Sequence, residues 1–119
     1  VWEAYAGYVT AGTHVFNPGN SAVFVFAAFF GGFFGCSQSE SYTFSGPFSL
    51  NSSGAFAICS ANGSMEMPVP GQPVFANPAY VTGYKYEATI NGAIVTQGLG
   101  VGYFPGTIAG FTNTGGQYN

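Results

Sequence analysis

The sequence has almost no charge. It holds no Asp, no Arg, one Lys and one His, and charged residues make up 4% of its 119 positions, against a usual share of about 25%. The charges are Glu3, Glu40, Glu66, Glu87 and Lys85. Several functions fall with that absence. Nucleic-acid binding needs Lys and Arg to neutralise phosphates, and one Lys cannot supply them. A calcium loop of the EF-hand type needs Asp, and none is present. A structural zinc site needs four ligands, and Cys36, Cys59 and His14 are the only Cys and His in the chain. No phosphate-binding glycine loop occurs, because Gly31-Gly32-Phe33-Phe34-Gly35 lacks the Lys and the following helix that such a loop uses. His14 stands in no motif with a nucleophile and a carboxylate. The expectation is therefore a protein that is not an enzyme, with no cofactor, no metal, no nucleic acid and no small-molecule substrate. A soluble monomer normally carries about 25–35% charged residues on its surface. Here the surface must be Ser, Thr, Asn, Gln, Tyr and Gly, or be covered by sugar or protein.

What the chain has instead is aromatic and apolar. Hydrophobic residues make up 47% and aromatics 18%, with 13 Phe. Residues 22–35, AVFVFAAFFGGFFG, carry no polar side chain and hold Phe24, Phe26, Phe29, Phe30, Phe33 and Phe34. Burying each large apolar side chain is worth roughly 1.5–3 kcal/mol, so something must cover this run. Three readings compete. A membrane-inserting segment is short of the roughly 20 apolar residues that a spanning helix needs, and it lacks basic flanks. A buried helix suits the length but not the β-branched and aromatic content or the Gly31-Gly32 pair. A strand apolar on both faces, bent at Gly31-Gly32, fits the residues.

The remaining chain reads as short strands and turns. Residues 1–10 form a strand apolar on both faces. Asn17-Pro18-Gly19-Asn20 is a type II turn signal, with Pro presetting φ and Gly supplying φ > 0, and it folds the Phe-rich strand back on residues 13–16. Asn62-Gly63 and Asn91-Gly92 each read as a tight hairpin turn. In the second hairpin Tyr84, Tyr86, Ala88, Ile90, Ala93, Val95 and Leu99 share the buried face. Lys85, Glu87, Thr89, Ile94 and Thr96 share the exposed one, where Lys85 and Glu87 form a solvated pair. Residues 68–78 are rich in Pro and read as a crossover or edge segment. The 19 Gly and 7 Pro read as punctuation with no repeat.

The expected fold is all-β: a single antiparallel β-sandwich, Ig-like or jelly-roll-like, with about eight or nine short strands. Residues 1–12 form an N-terminal strand able to exchange with a neighbouring subunit, 13–112 the sandwich body and 113–119 a polar, frayed tail. Cys36 and Cys59 are read as a disulfide, which would stabilise the fold by about 3 kcal/mol on the chain-entropy model; two buried thiols are the other reading. Asn51 and Asn62 begin N-glycosylation sequons in turns. No signal peptide is visible, and Val1 opens directly on a strand-like segment, as in a processed secreted chain.

Strands without gatekeeper charges are an aggregation hazard unless their edges are normally paired. An apolar amino-terminal strand, few charges, one cysteine pair and sequons together resemble subunits of donor-strand-complemented extracellular filaments: archaeal threads and bundling pili and, more distantly, chaperone–usher pilins. The resemblance implies a donor strand containing Val1, Trp2, Ala4, Tyr5, Ala6, Tyr8 and Val9. It also implies an acceptor groove lined by Val23, Phe24, Val25, Phe26, Phe29 and Phe30. The function expected on this basis is an extracellular structural protein whose partners are copies of itself, with covalent glycans. The alternatives are a secreted lectin-like or adhesin sandwich that binds glycans through exposed Tyr and Trp, and a viral assembly subunit.

Overall fold

The computed structural model describes residues 2–4, 8–9, 14–35 and 40–119, with side chains described from residue 14 onward. The chain winds as a parallel β-solenoid. The first coil contributes β1 (Trp2–Ala4), β2 (Tyr8–Val9) and β3 (His14–Phe16), and the second β4 (Ser21–Phe29), β5 (Phe33–Gly35) and β6 (Ser41–Phe44). The third contributes β7 (Phe48–Ser60), β8 (Ser64–Glu66) and β9 (Val74–Ala76). A 3-10 turn, Pro78–Tyr80, leads to a fourth coil of β10 (Val81–Thr82), β11 (Tyr84–Ala88) and β12 (Ala93–Val95). The last coil holds β13 (Phe111–Thr112) and β14 (Gln117–Tyr118). No α-helix occurs among the described residues.

Each strand pairs with its counterparts in adjacent coils, so three parallel sheets result. Sheet A runs β1-β4-β7-β11-β13, with β10 also on β7; sheet B runs β2-β5-β8-β12-β14; sheet C runs β3-β6-β9. This overturns the expected antiparallel β-sandwich. The long apolar run fits the parallel pairing instead, because Ser21–Phe29 lies between Trp2–Ala4 on one edge and Phe48–Ser60 on the other. His14–Phe16 do not pair back on the Phe-rich strand: β3 lies on β6, with His14 opposite Tyr42 and Phe16 opposite Phe44. The turn at Pro18-Gly19 is kept, with Gly19 at φ 78°, but it is a corner from one coil into the next. The tail is paired as well, since Gln117 and Tyr118 register on Ala93 and Ile94.

The two expected hairpins are corners between sheets A and B. Four such corners occur, and in each two residues of positive φ are followed by Gly: Phe30-Gly31-Gly32, Ala61-Asn62-Gly63, Ile90-Asn91-Gly92 and Thr114-Gly115-Gly116. The Gly N–H donates back to the residue three before it, at 2.8 Å for Gly32 to Phe29, 3.0 Å for Gly63 to Ser60, 2.9 Å for Gly92 to Thr89 and 2.9 Å for Gly116 to Asn113. Positive φ at both central residues with that bond is the type I′ pattern. It was expected at Asn91-Gly92 but sits one residue earlier, at Ile90-Asn91. The shift swaps the faces after the turn: Ile94 and Thr96 are fully buried, while Ala93 and Val95 are only partly so.

The third residue has little choice at the last three corners. A Cβ on Gly63 would lie 2.0 Å from the Ala28 carbonyl oxygen, and one on Gly92 2.1 Å from that of Cys59. The corners also hold one another. Gly31 N–H donates to Ala61 (3.1 Å), Asn62 N–H to Ile90 (3.0 Å) and Asn91 N–H to Thr114 (3.1 Å). Those bonds fix Phe30, Ile90 and Thr114 at φ 53°, 50° and 49°. A left-handed backbone costs an L-residue roughly 1–2 kcal/mol.

The core is a set of side-chain stacks running from coil to coil. Phe34, Met65, Ile94 and Tyr118 register along sheet B. Phe26, Ala57 and Tyr86 register along sheet A, beside the smaller row of Ala28, Cys59 and Ala88. Sheet C adds Tyr42 and Phe44, with Phe75 over Tyr42. Phe26 is completely buried and meets Phe34 at 4.9 Å, Tyr42 at 5.1 Å and Phe56 at 5.3 Å between ring centroids. The contacts to Tyr42 and Phe56 are edge-on, and such contacts add about 0.5–1.5 kcal/mol beyond burial. The Phe-rich run is therefore the second coil of the solenoid, and its own chain covers it above and below.

Candidate functional site

Two surfaces stand out once the coils are laid out. The first is the pair of terminal coils. Among the described residues, β13 and β14 are paired on one side only, as are β1 and β2 at the opposite end. Along β13 the Asn113 N–H points to Ala88, and alternation along a strand turns the Thr112 N–H the other way, to the open edge. Along β14 the Gln117 and Asn119 N–H groups go to Gly92 and Ile94, so that of Tyr118 also faces the open edge. Neither strand carries a charge or a Pro, the usual devices that blunt an edge. Tyr118 is well anchored: its ring stacks on Tyr86 at 3.9 Å and its hydroxyl donates to Gly100 at 2.9 Å. Burial pushes its phenol up to about 12, with a side-chain bond to Thr96 opposing and the charge of Tyr86 adding.

The second surface is the outer face of sheet A. On either side of the core residues Val25, Phe26 and Ala28, Phe24 and Phe29 are half-buried, while Ala27 between them is fully buried. In register with them stand Ala55 and Tyr84 in one row, and Ile58, Glu87 and Phe111 in another. Phe24 meets Phe29 at 5.9 Å and Tyr84 meets Phe111 at 5.4 Å. These rows run along the stacking axis. At the corner beside them, Phe30 is 69% and Ile90 52% exposed.

The residues expected to form a donor strand and groove are brought together, but within one chain. Trp2, Glu3 and Ala4 register in parallel on Phe26, Ala27 and Ala28, and Tyr8 and Val9 on Phe33 and Phe34. Val1, Tyr5 and Ala6 lie outside the described residues. Of the expected groove, Val25 and Phe26 are core residues, Phe24 and Phe29 are half-buried, and Val23 and Phe30 are exposed. Both sequon residues are exposed. Asn62 is a corner residue, and Asn51 lies in a bulge where residues 51–54 stand opposite Val23. Cys59 is a buried thiol whose ionisation burial pushes well up, against a backbone hydrogen bond from Ala28. Its expected partner, Cys36, lies outside the described residues.

The polar groups with chemistry to offer are dispersed. The Tyr42 hydroxyl donates to the buried Glu40 at 2.8 Å, and the His14 ring stacks on Tyr42 at 5.4 Å. No group of three metal-ligating side chains occurs among the described residues, and no helix among them is long and apolar enough to cross a membrane. Lys85 and Glu87 do not share a face. Glu87 is on the outer side, accepting from the Thr89 hydroxyl at 3.5 Å, and Lys85 lines a cleft on the other side. Sequence reasoning missed the edges of β13 and β14 because it read residues 113–119 as a tail. The signal was the Gly115-Gly116 pair, which repeats the two earlier Asn-Gly corners. No family model, curated protein or solved structure matches this chain.

Proposed function

We propose that this chain is an extracellular structural subunit that joins copies of itself end to end into a filament, by pairing the open edge of the last coil with that of the first. The observation that carries the reading is that, among the described residues of this all-parallel stack, β13 and β14 are paired on one side only and carry neither charge nor Pro. In a parallel solenoid the two ends are complementary in direction, because the operation that lays one coil on the next also lays one molecule on the next. Such a contact is head-to-tail and does not close, so it propagates as an open fibre. Main-chain hydrogen bonds supply its affinity, as in other strand additions. Strand complementation between subunits then takes the form of edge pairing. The rows on sheet A continue across the junction, and the exposed Asn51 and Asn62 leave room for sugar on a surface with few charges to solvate it.

Replacing Thr112 by Pro tests this. Thr112 faces away from β11, so the substitution removes the edge donor while leaving the β11–β13 bonds intact. The wild-type chain is expected to form filaments seen by electron microscopy and to sediment as polymers; Thr112→Pro is expected to sediment as a folded monomer. A wild-type chain that stays monomeric at high concentration would refute the reading, and so would a proline variant that polymerises as well as wild type.

A further inference from the structure

The third side of the solenoid stops short. Sheets A and B extend through five coils, but sheet C ends at β9. After β12 the chain runs through turns and loop, and residues 99–106 do not lay a strand under β9. The unfilled space is a cleft of about 470 Å³ between the segments around residues 72–79 and 99–106. Phe75 and Tyr103 form its aromatic lining, over the fully buried Phe104. The Tyr103 ring meets Phe75 edge-on at 5.3 Å, and its hydroxyl donates to the Pro73 carbonyl at 2.8 Å, tying the two walls together.

The chain's single cationic side chain lies in this cleft. Lys85 follows Tyr84, which registers on Ala55, so it occupies the place that Val25 and Phe56 fill with buried apolar side chains in the two coils above. Its stem passes over Gly106, where a Cβ would come within 3.1 Å of the Lys85 Cγ and 2.8 Å of the Gly83 carbonyl oxygen. The described carboxylates are engaged elsewhere: Glu40 with Tyr42, Glu66 with Gln97 and Glu87 with Thr89. Among the described residues Lys85 makes no ion pair, and the Gln72 amide, also in the lining, makes no hydrogen bond.

We propose that the cleft under β9 binds a carboxylated sugar ring. A lone ammonium group in a partly enclosed site selects one carboxylate. Aromatic faces suit the C–H side of a pyranose, as they suit other rings with one apolar side. Gln72 and the loop backbone offer donors and acceptors for hydroxyls. The volume lies within the roughly 300–1,000 Å³ usual for small-ligand sites. The site is independent of the assembly edges, so it is tested on the monomeric Thr112→Pro form as well as on wild type.

The test is calorimetric titration with D-glucuronate, with D-glucose and benzoate as probes of the carboxylate and of the ring alone. Saturable glucuronate binding is expected, weakening as salt is added, with glucose and benzoate each weaker by about tenfold or more. Lys85→Met is expected to lose about tenfold or more in glucuronate affinity, with Lys85→Arg retaining most of it and melting temperatures unchanged. No saturation with glucuronate up to about 10 mM, equal binding of glucose or benzoate, or unchanged affinity in a folded Lys85→Met would each overturn the proposal. Lys85→Gln serves in the same way where Lys85→Met does not fold.

Discussion

The corner between sheets A and B repeats four times with the same hydrogen bonds, while the side built by sheet C changes from coil to coil. At the corner each turn stacks on the one before it, and the backbone has so little room that residues 63, 92 and 116 must be Gly. On the third side β3, β6 and β9 are joined by segments of different length, and the fourth coil supplies no strand at all. The repeated side is where backbone geometry is shared between coils; the varied side is where a cleft can open. Rigidity and a candidate binding surface are thus assigned to opposite parts of one stack.

The largest expected effect lies where core stacks and corner meet. Phe26→Ala empties a fully buried ring site and is expected to cost about 3–5 kcal/mol, read as a fall in the denaturant midpoint. Gly63→Ala puts a methyl group against the Ala28 carbonyl and is expected to cost about 2–4 kcal/mol. On the third side Gly102, with nothing within 4 Å of an added Cβ, should accept Ala within about 0.5 kcal/mol. Equal costs at Gly63 and Gly102 would break the contrast.

Corner strain gives a smaller effect of opposite sign. Ile90 is about half exposed and held at φ 50°. Ile90→Asn is therefore expected to stabilise the fold by about 1 kcal/mol, since Asn tolerates the left-handed region. The last coil sharpens the comparison through pH. Burial raises the Tyr118 phenol from its ordinary value of 10.0 to about 12 in the folded chain, so the folded state holds its proton more tightly than the unfolded state. Its contribution is fully present below about pH 10 and is lost as pH rises through about 12. Tyr118→Phe should flatten that part of the stability profile, measured by thermal melts across this range.

The sequence makes the composition of strands legible and hides their pairing. Residues 21–29 and 33–35 are strand, with the expected bend at Gly31-Gly32 a corner between two sheets, and the cover comes from strands paired on both edges of Ser21–Phe29. The antiparallel reading came from Asn62-Gly63 and Asn91-Gly92, whose residues suit a hairpin and a solenoid corner equally well, because both need positive φ at adjacent positions. What separates the two is the recurrence of the pair at Gly31-Gly32, Asn62-Gly63, Asn91-Gly92 and Gly115-Gly116. The unequal coil lengths, 31, 29 and 24 residues between those pairs, conceal it from a search for a fixed period. The cleft was not legible: Lys85 alternates with Glu87 as on a solvated strand, and only the missing strand under β9 gives it an inside to face.

Fibre diffraction from oriented wild-type filaments tests the central claim most directly. Stacked parallel coils continuing from one molecule to the next place strands across the fibre axis, and a strong meridional reflection near about 4.8 Å is expected. Filaments without that reflection, or a wild-type chain that forms no filaments under any condition in which it remains folded, would contradict it.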